Sequence, residues 1–115
     1  MGRSYYLTTL AAWRKHASRF AHSHYVCLSN GAAKPDDATQ IVALIEGDEG
    51  AHNALEQDAG WEQLPHPLSQ KPVSDNVHRA LSQQGTGANL QPGATTLDVA
   101  EALGRAHPLL RYRVF

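Results

Sequence analysis

The run Gln40-Ile-Val-Ala-Leu-Ile-Glu-Gly47 constrains the fold more than any other stretch of the chain. It has strand length, it is rich in Ile and Val, and it reads as a central strand buried on both faces. Residues 48–60, DEGAHNALEQDAG, follow at once and read as a helix. Asp48 and Glu49 fall in its first turn, where carboxylates suit the positive end of the helix dipole, and Ala59-Gly60 is the stop. Trp61-Glu-Gln-Leu64 resumes extended structure until Pro65 and Pro67, which cannot donate to a sheet ladder. Residues 40–64 are therefore expected to form a compact βαβ unit. If its strands share a sheet, the crossover is expected to be right-handed.

The flanking segments are read outward from this unit. In residues 6–20 the positions Tyr6, Leu10, Trp13, Ala17 and Phe20 make one helical stripe, with Lys15 and Arg19 opposite. The spacing predicts a helix, although SYYLTT can also be extended, with Tyr5, Leu7 and Thr9 on one face. HYVCLSNG reads as a short strand ending at the turn pair Asn30-Gly31. Ser74 or Asp75 is placed to cap a helix carrying Val77, Ala80 and Leu81 and stopping at Gly85. Thr95 and Asp98 resemble a capping box, with Asp in place of the usual Glu or Gln. The helix that follows aligns Val99, Ala102, Leu103 and Ala106 before His107-Pro108 ends it. Leu110, Tyr112 and Val114 then alternate with Arg111 and Arg113, the pattern of a half-buried strand. The expected fold is a single α+β domain over 1–115. It has a small mixed sheet of about four strands with helices packed largely on one face, and a ferredoxin-like relative is the architectural expectation.

Composition narrows the setting. At 42% hydrophobic and 18% charged residues, the 115-residue chain reads as globular. Its single cysteine, Cys27, cannot form an internal disulfide, which fits a reducing compartment and leads to the expectation of a cytoplasmic protein. YYLTTLAAW is too short and too polar for a membrane span, so no membrane partner is expected. The net charge of −1 is unevenly spread. Residues 1–34 carry five bases and no acid, and residues 35–62 carry eight acids and no base. The basic arm can hold phosphates, or it can face its own acidic counterpart within the fold or across a dimer. Without aromatics interleaved among the bases, nucleic acid is disfavoured.

His24, Cys27 and His52 are the candidate ligand-binding residues. His22 and His24 share one side of a strand and Cys27 falls on the other, so a regular strand does not gather them into a metal site. Cys27, between Val26 and Leu28, reads as a small buried hydrophobe. Glu49, His52 and Glu56 share a helical face, but one opposite Ala51, Ala54 and Leu55, which turns them to solvent. No nucleophile elbow, phosphate loop or dinucleotide fingerprint is present, so no catalytic residue, metal or cofactor is assigned. The glycine-rich segment GTGANLQPG is the best-placed loop to close over a ligand. The two C-terminal helices are separated by too long a connector for a helix-turn-helix. The resulting expectation is a non-catalytic assembly or binding module. It would self-associate through a sheet edge and charged faces, with Arg111, Tyr112 and Arg113 at the interface, and it could take another protein partner. The alternative is a small enzyme or ligand-binding protein with a pocket between sheet and helices, using His24, His52 or Cys27.

Overall fold

The computed structural model describes residues 2–28, 36–83 and 90–106. Strand β1 (Gly2–Thr9) leads into helix α1 (Leu10–His16), a 3-10 turn (Ala17–Arg19) and strand β2 (His22–Cys27). Strand β3 (Gln40–Gly47), helix α2 (Glu49–Glu56) and the two-residue strand β4 (Glu62–Gln63) follow. A second 3-10 turn (Pro67–Ser69), helix α3 (Asp75–Gln83) and helix α4 (Thr96–Ala106) complete the described chain. The fold is α+β, as expected.

The strands form one sheet in the order β2-β3-β1-β4, and every neighbouring pair is antiparallel. Among the described residues the sheet is antiparallel throughout, where a mixed one was expected. The βαβ unit of residues 40–64 exists, but β1 lies between its two strands, so β3 and β4 run in the same direction without touching. The sequence order β1-α1-β2-β3-α2-β4 is that of a split β-α-β arrangement. It agrees with the element order of the ferredoxin-like expectation, and order is all that carries that comparison.

Of the helix expected over 6–20, only residues 10–16 are α-helical, and 17–19 form the 3-10 turn. Residues 2–9 pair with 40–47 along their whole length, Gly2 opposite Gly47 through Thr9 opposite Gln40. Tyr5, Tyr6, Leu7 and Thr8 are all buried. A strand inside a sheet covered on both faces satisfies that pattern, and a one-sided helix does not. The chain turns at Thr9, whose hydroxyl accepts from the Ala12 amide and caps α1.

Both faces of the sheet carry a core. Tyr6, Ile41, Ala43, Ile45, Leu55 and Trp61 fill one, with Ala12, Trp13 and Phe20 packed against it from the α1 side. Tyr5, Leu7, Val26 and Val42 face the other way and meet Val77, Leu81, Val99 and Leu103 from α3 and α4. Helices therefore cover both faces, where one face was expected to carry most of them. The C-terminal pair supplies the second layer, since apolar residues on both sides of a strand need two covers.

The caps fall where the residue types place them. Asp48 accepts from the Ala51 amide at 2.8 Å at the start of α2. Ser74 accepts from the Val77 amide at 3.2 Å at the start of α3. Thr95 and Asp98 close the expected reciprocal box on α4, with Thr95 N–H to Asp98 Oδ2 at 2.9 Å and Asp98 N–H to Thr95 Oγ1 at 3.4 Å. The Asn30-Gly31 turn, the stops at Gly85 and His107-Pro108, and the strand expected over 110–114 lie outside the described residues.

Candidate functional site

The structure keeps His24, Cys27 and His52 apart. His24 lies opposite Leu44 in the β2–β3 ladder and has the same parity as Val26, so it belongs to the sheet face that α3 and α4 cover. Cys27 lies opposite Ile41 and packs with the other core. Burial pushes the Cys27 thiol pKa up, the direction of an inert cysteine and away from a thiolate nucleophile. His52 rises from α2 above the Cys27 face, but its partner is Tyr6.

That partnership corrects the solvated reading of the α2 polar face. The Tyr6 hydroxyl and His52 Nδ1 are 2.8 Å apart, and the two rings stack at 6.2 Å. Tyr6 itself is only 1% exposed. Burial raises its phenol pKa, the Ser4 hydroxyl opposes this by hydrogen bonding, and the Glu56 carboxylate adds to the rise. The phenol can donate or accept, so the direction of this bond follows the imidazole tautomer. Gln63 Nε2 in turn donates to Ser4 Oγ at 3.2 Å. Gln63, Ser4, Tyr6 and His52 thus form one chain of donors and acceptors across β4, β1 and α2. Glu49 and Glu56 remain exposed, as expected.

His52→Ala is consequently expected to lose about 0.5–1.5 kcal/mol, the net contribution of one hydrogen bond, since the Tyr6 hydroxyl keeps Ser4 as a partner. Urea unfolding midpoints check this, with exposed Glu49→Gln as the reference that stays within about 0.5 kcal/mol. Equal midpoints for the two variants would mean that the Tyr6–His52 contact contributes nothing.

A second polar pair sits beside the first. His16 Nε2 and Asp58 Oδ2 are 2.9 Å apart, and the His16 ring meets Trp61 edge-on at 5.8 Å. The hydrogen bond from His16 is the main cause holding the Asp58 carboxyl below its ordinary pKa, and the Gly60 amide adds to it. Lys15 approaches the same carboxylate at 3.7 Å, and Arg14 pairs with Asp37 at 2.6 Å. Part of the basic arm therefore meets its acidic counterpart inside the fold. The Arg14–Asp37 pair is largely exposed and contributes little to stability. These side chains thus link α1 to the loop before β3 and to the stretch after α2.

Two clefts are lined by described residues. One of about 140 Å³ lies between the end of β1 and the start of α3, lined by Thr8, Thr9, Gln40, Glu62 and Asn76 among others. Glu62 accepts there from Ser74 Oγ and from Asn76 Nδ2. The other lies at the first turn of α3 and measures about 310 Å³. Neither is lined by His24, Cys27 or His52. Among the described residues no group of three or more His, Cys, Asp or Glu is placed to hold a metal ion.

The outer edge of β2 is the remaining feature. The Leu28 amide donates to Gln40 O at 2.9 Å, which fixes the phase of the β2–β3 ladder. Bonding direction alternates along a strand, so His22, His24 and Val26 bond to β3, while the amides of Ser23, Tyr25 and Cys27 point outward. No described strand pairs with that side. His22–Cys27 contains no Lys, Asp, Glu or Pro, the residues that usually guard an edge. Charge at the edge, which spacing and composition suggested at Arg111 and Arg113, falls on residues outside those described. Among the described residues no helix is long and apolar enough to cross a membrane.

A comparison with protein-family models, curated proteins and solved structures finds no match to this chain.

Proposed function

We propose that this chain is a small non-catalytic module that assembles with copies of itself through the outer edge of β2. The observation that carries the reading is the row of outward amides at Ser23, Tyr25 and Cys27 on a strand without guarding residues. Antiparallel pairing of β2 with the β2 of a second copy would satisfy both rows at once. Such pairing is self-complementary and closes as a two-fold dimer. It would join two four-stranded sheets into one. The polar pairs around Tyr6 and Asp58 support the reading because they are committed to holding the fold. The proposal keeps Arg111, Tyr112 and Arg113 as interface residues, with the acidic stretch 35–62 of another copy as their counterpart in charge. A cytoplasmic setting and a further protein partner belong to the same proposal.

Ser23→Pro tests it. The substitution removes an outward amide and no bond to β3, and proline is tolerated on that side of an edge strand. Sedimentation velocity is expected to show an oligomer for the natural chain and a monomer for the variant, with matching circular dichroism. A natural chain that sediments as a monomer at every concentration would defeat the proposal, as would a folded variant of unchanged size.

The alternative class, a small enzyme or ligand-binding protein, finds its support in the larger cleft.

A further inference from the structure

The cleft of about 310 Å³ is lined by Pro72, Val73, Asp75, His78, Pro92 and Gly93. Its two walls are fastened to each other by backbone. The Val73 amide donates to Ala94 O at 2.8 Å, and Pro72 bridges to Thr95. The far wall is a turn, closed by the Ala94 amide on Gln91 O at 3.1 Å. Pro92 presets the first central position, and Gly93, at φ 80, supplies the left-handed conformation that the second requires. The near wall is the first turn of α3. Asp75 and His78 stand three residues apart and so share a face of the helix, away from the buried stripe of Val77, Ala80 and Leu81.

The chemistry of this cleft has one sign. His78 Nε2 lies 3.2 Å from Leu90 O, and a carbonyl oxygen only accepts. Nε2 therefore carries the proton and donates, which makes Nδ1 of the neutral ring an acceptor. Asp75 contributes a carboxylate, and among the described residues no Lys or Arg lines the cleft. A helix N-terminus by itself favours anions. Here Ser74 already answers the Val77 amide, and the Asp75 carboxylate repels a second negative charge. The flanking prolines and Val73 offer apolar walls for a short aliphatic body. The volume is at the lower end of that usual for small-molecule sites, about 300–1,000 Å³.

We propose that this cleft binds a small organic cation of the alkylammonium class. Asp75 takes the cationic head, His78 serves as a second acceptor, and Pro72 and Pro92 flank the chain of the ligand. The site does not depend on assembly through β2.

Titration of the full chain with n-butylammonium chloride, followed by ¹H–¹⁵N correlation spectra, tests the assignment against sodium butyrate, an anion of similar size. Butylammonium is expected to shift the amides of Val73, Asp75, His78 and Gly93 to saturation, and butyrate is expected to leave them in place. Asp75→Asn, an exposed substitution, is expected to weaken butylammonium binding at least tenfold. An equal response to both ions, a shift that never saturates, or an unchanged affinity in Asp75→Asn would overturn the proposal. The comparison of the two ions on the natural chain stands whether or not the variant folds.

Discussion

Tyr6→Ala is expected to destabilise the chain by about 3–5 kcal/mol, the range for truncating a large buried aromatic. Tyr6 is among the largest fully buried side chains, on a strand that pairs with both β3 and β4. Its ring meets Trp61 edge-on at 5.5 Å, so the substitution opens a cavity beneath a second aromatic. It also removes the hydroxyl that meets His52 Nδ1. Domains of this kind have about 5–15 kcal/mol in total, so a loss of this size removes much of the margin. Denaturant unfolding by fluorescence and circular dichroism measures it. Tyr6→Phe separates the two contributions: it keeps the ring, removes the hydroxyl and is expected to lose only about 1–3 kcal/mol. If Tyr6→Phe were as damaging as Tyr6→Ala, the hydroxyl pair rather than the packing would dominate.

Leu103→Ala is expected to lose about 2–5 kcal/mol through the same cavity mechanism. Leu103 is 0% exposed and belongs to the core between α3, α4 and the sheet. The shape of the transition matters as much as its midpoint. Val42 and Leu7 face this layer, while Ile41 and Tyr6, their sequence neighbours, face the other. Loss of either layer exposes one side of the same strands. One cooperative transition, shifted as a whole, is therefore expected with both probes. A biphasic transition, with the Trp61 signal unmoved, would show the C-terminal helices to be an independently unfolding attachment.

The sequence disclosed most about elements with one clear period or a strong cap. Residues 40–47 are apolar throughout and became β3 with the bounds expected. Asp48, Ser74 and the Thr95–Asp98 box marked helix starts because capping is a local exchange of hydrogen bonds over three residues. Residues 6–9 misled because a strand buried on both faces has no alternation to display. Tyr6, Leu10, Trp13 and Phe20 fit a helical stripe by spacing, and three of them do pack in or against one core, although Tyr6 reaches it from a strand. The polar pairs were hidden for a different reason. Tyr6 and His52 are 46 positions apart, and His16 and Asp58 are 42 apart. Only the register of β1 on β3 and the return of α2 across the sheet bring them together. His52 borders the Ala51–Leu55 stripe, so a small rotation of α2 decides whether its imidazole faces water or Tyr6. The parity of His22, His24 and Cys27, by contrast, is a property of any regular strand, and it placed Cys27 on the opposite face correctly. His78 carried no local signal. Its role depends on a turn from residues 91–94 folded against it.

Backbone amide exchange on β2, measured by NMR at high and low protein concentration, tests assembly through the edge most directly. His22, His24 and Val26 bond to β3 and serve as the internal reference, protected under both conditions. The amides of Ser23, Tyr25 and Cys27 are predicted to exchange slowly in concentrated protein and rapidly on dilution, as the second copy departs. Rapid exchange at every concentration would show an edge that nothing covers. Protection that survives full dissociation would show an edge covered from within the chain, and either result would contradict assembly through β2.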